Sequence, residues 1–408
     1  MPDPQAIVLN FPDFVRVAGE TLQGYIDLDL GLAAQDKIEK VKIKLRGSVL
    51  TRTTERTHAP GQEAQSTTHY RTQNHELVRL DQVLWDQSSA PQGLPSVIQC
   101  PFQLPLPPNL PPSFHYSHSN HTVTVSYSIE VVGSRHGVFH ANRRVRKIFS
   151  VVPAASPWEL NTTAAIKQGW NGPWKPQTIK KEIRHGLFGD HSEATMELVL
   201  PDLPSFPMSV NVPFALHIWT KTKPVHQEDL DKNPKLFPAP PQTPADSELE
   251  VKLRRQGRMQ TYGKSEHFEE ELQLRGGLGD KNAVTSIRTT FDQPSFTQLD
   301  GSKGIWNRAV HFEGALVIPE TPSFSGEHVE WHYTLKVKMD FPGLGNILEF
   351  KIPVHINSGV ACPPLPTAPY QYNVPYTYPL PSGPPPLMHL PQSYWSGEHH
   401  NWDEENGE

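Results

Sequence analysis

The stretch "PPSFHYSHSNHTVTVSYSIEVVG" carries three evenly spaced histidines, His115, His118 and His121. Three imidazoles can hold zinc, but a closed tetrahedral site needs a fourth ligand, and neither a cysteine nor a carboxylate stands beside them. They sit on a proline-led approach to a run of strand periodicity, so they read as a polar lead-in and no metal is expected. A second chemical group is "RRVRKIF", where Arg143, Arg144, Arg146 and Lys147 alternate in part with Val145 and Phe149. The bland reading is a solvated strand face. The functional reading is a patch for acidic lipid headgroups or for a phosphorylated or acidic cargo tail. A third group lies in the C-terminal stretch from Gly359, where prolines and tyrosines alternate without enough apolar residues to build a core. Such a segment favours polyproline II and fits the aromatic grooves of WW or SH3 domains. Pro363, Pro364 and Pro366 form one candidate ligand. Pro369 with Tyr372 and Pro375 with Tyr378 frame two further Pro-Tyr-x-Tyr copies.

Catalytic arrangements do not emerge. There is no Gly-x-Ser-x-Gly elbow, no P-loop and no His-Glu-x-x-His, and the glycine-rich "RGGLGDKN" lacks the Lys-Ser/Thr pair of a phosphate cradle and reads as a turn. A carbohydrate-acting sandwich would need two carboxylates facing each other in a cleft, which the sequence alone does not pair. No enzyme activity, catalytic residue or cofactor is expected.

These groups must be positioned by strands. In the run after the histidines, Val123, Val125, Tyr127, Ile129 and Val131 share one face, while Thr122, Thr124, Ser126, Ser128 and Glu130 share the other. The same grammar marks "TLQGYIDLDL", with Leu22, Ile26, Leu28 and Leu30 on one side, and "EKVKIKLRGSVL", whose wet face carries Lys40, Lys42, Lys44 and Arg46. Lysine on such a face keeps surface strands soluble. "HELVRLDQVLW" satisfies both helical and extended spacing and stays ambiguous. After the breaker-rich spacer "PAASPWELNTTAAIKQGWNGPWKPQ" the strand pattern resumes with Val210, Val212, Phe214, Leu216 and Ile218. It then breaks for a long charged and proline-rich loop. The pattern ends on two long runs, Val329 to Met339 and Leu348 to Ile356. Pro112-Ser113-Phe114 and Pro322-Ser323-Phe324 lead corresponding runs in the two halves, although the tripeptide also occurs at Pro204 and Pro294.

The chain of 408 residues exceeds one ordinary core and indicates two or three domains. Its 42 prolines and 36% hydrophobic content suit β domains with long connections, and a net charge of -6 offers no global pull toward nucleic acid. Two cysteines, Cys100 and Cys362, do not make a disulfide framework, and no signal peptide or membrane-spanning stretch is evident, so the expected compartment is the cytosol. The reading is all-β: an N-terminal β-sandwich over 5–153, a linker over 154–174, a C-terminal β-sandwich over 175–357 and a disordered Pro/Tyr-rich tail over 358–408.

The order of "VRVAGETLQGYIDLDL", "IEKVKIKLRGSVLTR", "LPLPPNLPPSF", "TVTVSYSIEVV" and "RRVRKIFSVVP" resembles the arrestin N-terminal domain, including the glycine and glutamate of "AGE", Gly24 and Gly47. "VNVPFALHIWTKT", "ALVIPETPSFSGEHVEWHYTLKV" and "ILEFKIPVHI" resemble the arrestin C-terminal domain. The likeness covers most of residues 5 to 357, and the proline-rich tail resembles the α-arrestin branch. It implies two immunoglobulin-like antiparallel sandwiches and a non-catalytic adaptor linking cytosolic tails of membrane transporters or receptors to a WW-domain ubiquitin ligase and to endocytosis. It also implies a cytoplasmic protein recruited to the plasma membrane or endosomes through peripheral membrane contact. The ligase motif so implied is Pro-Pro-x-Tyr, and both copies here carry tyrosine in place of its second proline. An alternative of another class is a structural arrestin-fold subunit of a retrieval complex, which needs no ligase motif.

Overall fold

The structure is a computed structural model and describes residues 5–58, 66–118, 120–135, 141–184, 191–229, 237–244, 248–278, 287–299, 301–343 and 345–364. Antiparallel sheets dominate, and among the described residues no sheet crosses from one half of the chain to the other. The first half packs the three-stranded sheet β1 (Ile7–Asn10), β3 (Thr21–Asp29) and β6 (Val97–Pro105) against a five-stranded one. The latter runs β5 (Ser66–Asp86), β4 (Ile38–His58), β8 (His121–Arg135), with β7 (Phe114–His118) and β9 (Arg143–Phe149) sharing the far edge of β8. A short parallel bridge, β2 (Arg16–Val17) with β10 (Val151–Val152), closes the domain. The six-residue helix α1 (Leu30–Gln35) turns β3 into β4.

The second half repeats this design. One sheet runs β11 (Trp174–Arg184), β12 (His191–Pro201), β14 (Asn211–Thr222), β20 (Lys303–Val317), and β15 (Val225–His226), β18 (Arg288–Phe291) and β19 (Ser295–Gln298) also pair β20. The other runs β17 (Lys264–Gln273), β16 (Leu249–Thr261), β22 (Val329–Asp340), with β21 (Phe324–Ser325) and β23 (Ile347–Val354) on the far edge of β22. The parallel bridge reappears between β13 (Phe206–Pro207) and β24 (Ile356–Asn357).

Period-two patterning positions the cores. Val123, Val125, Tyr127, Ile129 and Val131 of β8 are buried, as are Trp331, Tyr333 and Leu335 of β22. The opposite face of β8 is drier than its composition indicates: Thr124 and Ser128 are buried too, because β8 lies between β4 and the β7–β9 edge. The ambiguous "HELVRLDQVLW" is extended within β5, where pairing along β4 overrides its helical spacing. Tyr25 and Ile26 of β3 pair with Pro101 and Cys100, and a Cβ on Gly24 would meet Phe102 at 2.6 Å and the Asn10 carbonyl at 2.7 Å. Only glycine fits that approach.

The likeness of the halves extends to individual atoms. Ser113 donates its amide to the Val151 carbonyl at 2.8 Å while its Oγ accepts from the Val151 amide at 2.9 Å. Ser323 does the same with Ile356, at 2.9 Å in each direction. Tyr127 Oη donates to the Pro111 carbonyl and Tyr333 Oη to the Thr321 carbonyl, both at 2.8 Å. Each corner thus ties a proline-led approach to the strand it enters, as tyrosine corners do in sandwich folds.

The linker over 154–174 contains a helix: Pro157–Gln168 is α2, capped by a reciprocal Ser156–Glu159 box with Pro157 at its first turn. The "SPWE" signature was present and is a helix start signal. The tail does not leave the fold at 358. Ser358 Oγ donates to the Pro153 carbonyl at 2.5 Å, Ala155 donates to the Val360 carbonyl at 2.8 Å, and Val360 packs on Val15, Val17 and Val152. One apolar side chain meeting a small buried valine cluster, with these two hydrogen bonds, straps residues 358–360 back onto the first sandwich.

Removing Tyr127 Oη leaves one carbonyl unpaired, whereas removing Tyr333 Oη also orphans Trp331 Nε1, which donates to it at 2.9 Å. Tyr127→Phe should therefore lower unfolding free energy by about 1 kcal/mol and Tyr333→Phe by about 2 kcal/mol. Urea titration of the full chain reads both, and equal losses would contradict the assignment.

Candidate functional site

The basic run lies on β9, and the structure shows what each charge meets. Arg143 forms a two-pronged pair with Asp36, the C-cap of α1, through Nε–Oδ2 and Nη2–Oδ1 contacts of 3.0 Å. Arg135 reaches the same carboxylate at 2.9 Å. Arg144 pairs with Glu130 at 3.1 Å, Arg146 stands opposite Glu130 in the β8–β9 register, and Lys147 Nζ donates to the Phe11 carbonyl at 2.8 Å. Arg143 and Arg144 are exposed, and Arg146 and Lys147 are half-buried. The hydrogen bonds from Arg143 hold the Asp36 carboxyl below the usual carboxylate range, with burial opposing and the Arg135 charge assisting. The four residues thus share one strand, but an incoming anion competes with Asp36 and Glu130 for them.

The row on β4 is similarly engaged. Lys40 pairs with Asp86 at 2.9 Å, and Arg46 with Asp81 at 2.5 Å while it also donates to the Leu45 and Leu80 carbonyls. Asp86 falls to about 2, chiefly through hydrogen bonds from Ser88 and then Lys40. Of the histidines, His115 Nδ1 bonds Thr124 Oγ1 at 2.9 Å across β7–β8, and His121 lies at the start of β8. The side chain of His118 lies outside the described residues, as do Pro366, Pro369, Tyr372, Pro375 and Tyr378. Pro363 and Pro364 are exposed just beyond the strap.

The glutamate of "AGE" makes structural contacts. Glu20 is buried and pairs with buried Arg16 at 3.4 Å, and the Arg16 guanidinium sits over the Phe11 and Phe14 rings at 4.2 and 3.9 Å. Burial raises the Glu20 carboxyl above its ordinary value, with Arg16 opposing. Gly19 adopts φ +90 there, a left-handed conformation that favours glycine.

What the sequence reading did not single out is the waist between the sandwiches. Phe114 of the first meets Phe324 and Trp331 of the second at ring-centroid separations of 5.4 and 4.8 Å. Tyr116 stacks on Phe268 at 4.5 Å and meets Trp331 edge-on at 5.2 Å. The Arg255 guanidinium lies over Tyr116 and Trp331 at 5.1 and 5.0 Å, bound on its other side to Glu270 and, at 3.4 Å, to Glu320. These rings join the two cores into one continuous apolar cluster, so the expected separation into independent cores holds for the sheets but not for the packing. The individual aromatic residues were visible in the sequence, but no local pattern brings residues 114, 268 and 331 together.

On the outer face of the second sandwich, His217 and His311 stand opposite each other on β14 and β20, their Nδ1 atoms 2.6 Å apart, with Trp219 stacked on His217. Burial, then His311, keeps His217 below its ordinary value. Among the described residues no group of three or more histidines, cysteines or acids converges to hold a metal ion.

Glu320 is the most strongly perturbed carboxyl of the waist: burial pushes it up to about 7, while Arg255 opposes and Glu270 adds to the rise. A carboxyl raised from 4.5 in the unfolded chain destabilises the fold above the unfolded value, on the order of 3 kcal/mol once the pH exceeds 7. Acidification from 7 toward 4.5 removes that penalty. Glu320→Gln should therefore raise Tm at pH 8 more than at pH 5, read by calorimetry on the full chain, and an equal rise at both would contradict the placement. For the basic run, Arg143→Glu with Arg144→Glu should leave thermal stability nearly unchanged, because exposed pairs contribute little to folding, and any binding to phosphatidylserine vesicles that it removes should also be lost at high salt.

Residues 5–156 match the family model described as Arrestin (or S-antigen), N-terminal domain. No curated protein matches the chain. The matched span coincides with the first sandwich, from the strand before β2 to the segment that enters α2, and includes the buried Arg16–Glu20 pair and the basic strand β9. Residues 5–156 are thus similar to an arrestin N-terminal domain, and the all-β, two-sandwich architecture agrees with that likeness.

Proposed function

We propose that the protein is a non-catalytic adaptor of the arrestin type, in the α-arrestin branch, that holds cytosolic segments of a membrane transporter or receptor and brings them to a ubiquitin ligase for endocytic sorting. The single observation that carries this reading is the arrestin N-terminal match over 5–156, continued by a second sandwich of the same design. Its physical basis is breadth. Two sandwiches offer extended sheet faces and edges for peptide docking, and these need no catalytic cleft. Arg143, Arg144, Arg146 and Lys147 are the proposed contacts for acidic cargo or lipid headgroups, reached by displacing Asp36 and Glu130. In this reading the protein works in the cytoplasm and is recruited to the plasma membrane or endosomes by peripheral contact.

The recruiting element is the tail that begins past the strap. Pro363, Pro364 and Pro366, with Pro369, Tyr372, Pro375 and Tyr378, supply proline and aromatic groups, and two weak copies on one chain gain from effective concentration. The missing second proline of the ligase motif favours a second reading, a constitutive structural subunit of a membrane-retrieval complex.

A WW-domain array probed with a peptide spanning residues 359–395, beside pull-downs of the full chain and of a chain truncated after Pro364, separates the two. The adaptor reading expects weak capture by either Pro-Tyr-x-Tyr copy, a clear gain with both, and loss of capture and cargo ubiquitination in Tyr372→Ala with Tyr378→Ala. No WW binding together with unaltered cargo turnover after truncation would leave the structural-subunit reading.

A further inference from the structure

His75 on β5 and His328, just before β22, meet face to face across the waist, with ring centroids 3.3 Å apart and planes 14° from parallel. They form part of the wall of an interdomain cleft of about 480 Å3, which Leu77 and Leu110 line from the first sandwich and Phe324 and Val329 from the second. The titratable groups facing this cleft come in two pairs. The first sandwich contributes His75 and Glu76, and the second contributes Glu327 and His328, while the 108–111 loop and the 153–154 segment contribute none. Both carboxylates are well solvated: Glu76 reaches Arg79 at 3.8 Å, and Glu327, 87% exposed, lies 4.0 Å from His328 Nε2. Solvated carboxylates offer a neighbouring imidazolium only screened support.

Two neutral imidazoles at this separation stack as aromatic rings. Two imidazolium ions at the same separation repel, and that repulsion acts between the two segments that carry the rings, one from each sandwich. We propose that the His75–His328 stack is a proton-operated latch: as neutral rings it holds the two sandwiches together beside the cleft, and protonation of both rings opens it.

The direction follows from where the protons bind. Burial, and then His328, keeps His75 below its ordinary 6.5, with Glu327 opposing. The closed form therefore binds fewer protons than the open one, closure is fully favoured above 6.5, and it weakens as the pH falls below that value. Glu320, the other titrating group of the waist, runs the opposite way, because acid relieves its burial. It must be silenced for the latch to be read alone.

A hydrogen bond that crosses the waist reports closure. The Tyr262 amide donates to Gln73 Oε1 at 2.6 Å, beside Tyr262 Oη donating to the Thr72 carbonyl at 2.9 Å. Hydrogen exchange of the Tyr262 amide in the full-length Glu320→Gln chain, corrected for the intrinsic rate and referenced to amides of β8, should lose protection between pH 7.5 and 5.5. His75→Phe with His328→Phe keeps two stacked rings that cannot titrate and should hold protection level across this range. A level profile in the parent chain, or an equally steep one in the Phe pair, overturns the latch. Should the Phe pair fail to fold, a histidine titration by NMR on the parent chain decides: His75 should titrate below 6.5 and move up toward it in His328→Ala, and a midpoint at or above 6.5 in the parent refutes the proposal.

Discussion

The packing of Trp331 is the constraint on which both halves of the molecule depend. Its ring is 1% exposed, pressed between Phe114 and Phe268 and under the Arg255 guanidinium. The close approach requires a residue without a side chain on the neighbouring strand: Gly257 stands between Phe268 and Trp331 in the register, and a Cβ there would lie 1.9 Å from the Phe268 ring. The indole nitrogen in turn donates to Tyr333 Oη, which donates to the Thr321 carbonyl. One hydrogen-bonded chain therefore runs from the interdomain contact to the corner of the second sandwich. Interface packing, the charge cluster around Arg255 and the fold of the second domain share these atoms, so a disturbance of one reaches the others.

The contact has the geometry of a pair of equivalents. Ser113 and Ser323 occupy the same place in their domains, each bound in both directions to the strand that closes its sandwich, and the residues that follow them, Phe114 and Phe324, touch each other. A patch that meets its own copy is the hallmark of an isologous interface. Here it is built within one chain, and the surrounding rings break the equivalence: Tyr116 and Phe268, stacked on each other, both meet the Trp331 ring, and the Arg255 guanidinium of the second domain lies over it.

The strands, the alternation of their cores and the sandwich class were legible because side-chain period is local information carried by a few consecutive residues. Val123 to Val131 and Val329 to Met339 show it in their burial. The fate of the basic run was not legible in that way. Arg143 finds Asp36, 107 residues earlier in the chain, only because α1 ends beside the β8–β9 edge. Helix α2 is a different kind of miss: its Ser156–Glu159 box was local and readable, but the small and breaker residues around it masked the signal. The waist and the strap depend on contacts between residues about 150 to 350 positions apart, such as Phe114 with Phe324 and Val17 with Val360. No periodicity encodes those.

The strap changes the mechanical character of the junction. The chain passes from the first sandwich to the second through α2, then returns at Ser358–Val360 to lie on the first again. The two bodies are thus spanned by two covalent segments side by side, and α2 is itself pinned to the second body where Ser205 Oγ donates to Glu159 Oε1 at 2.7 Å. A force applied to the tail is not delivered to the end of β24. It arrives first at Val360, as a peeling load on a three-valine socket and two hydrogen bonds, and only after these yield does it reach the second sandwich. The tail is anchored to the opposite body from the one that precedes it in sequence, and any partner that pulls on it draws first on the N-terminal domain.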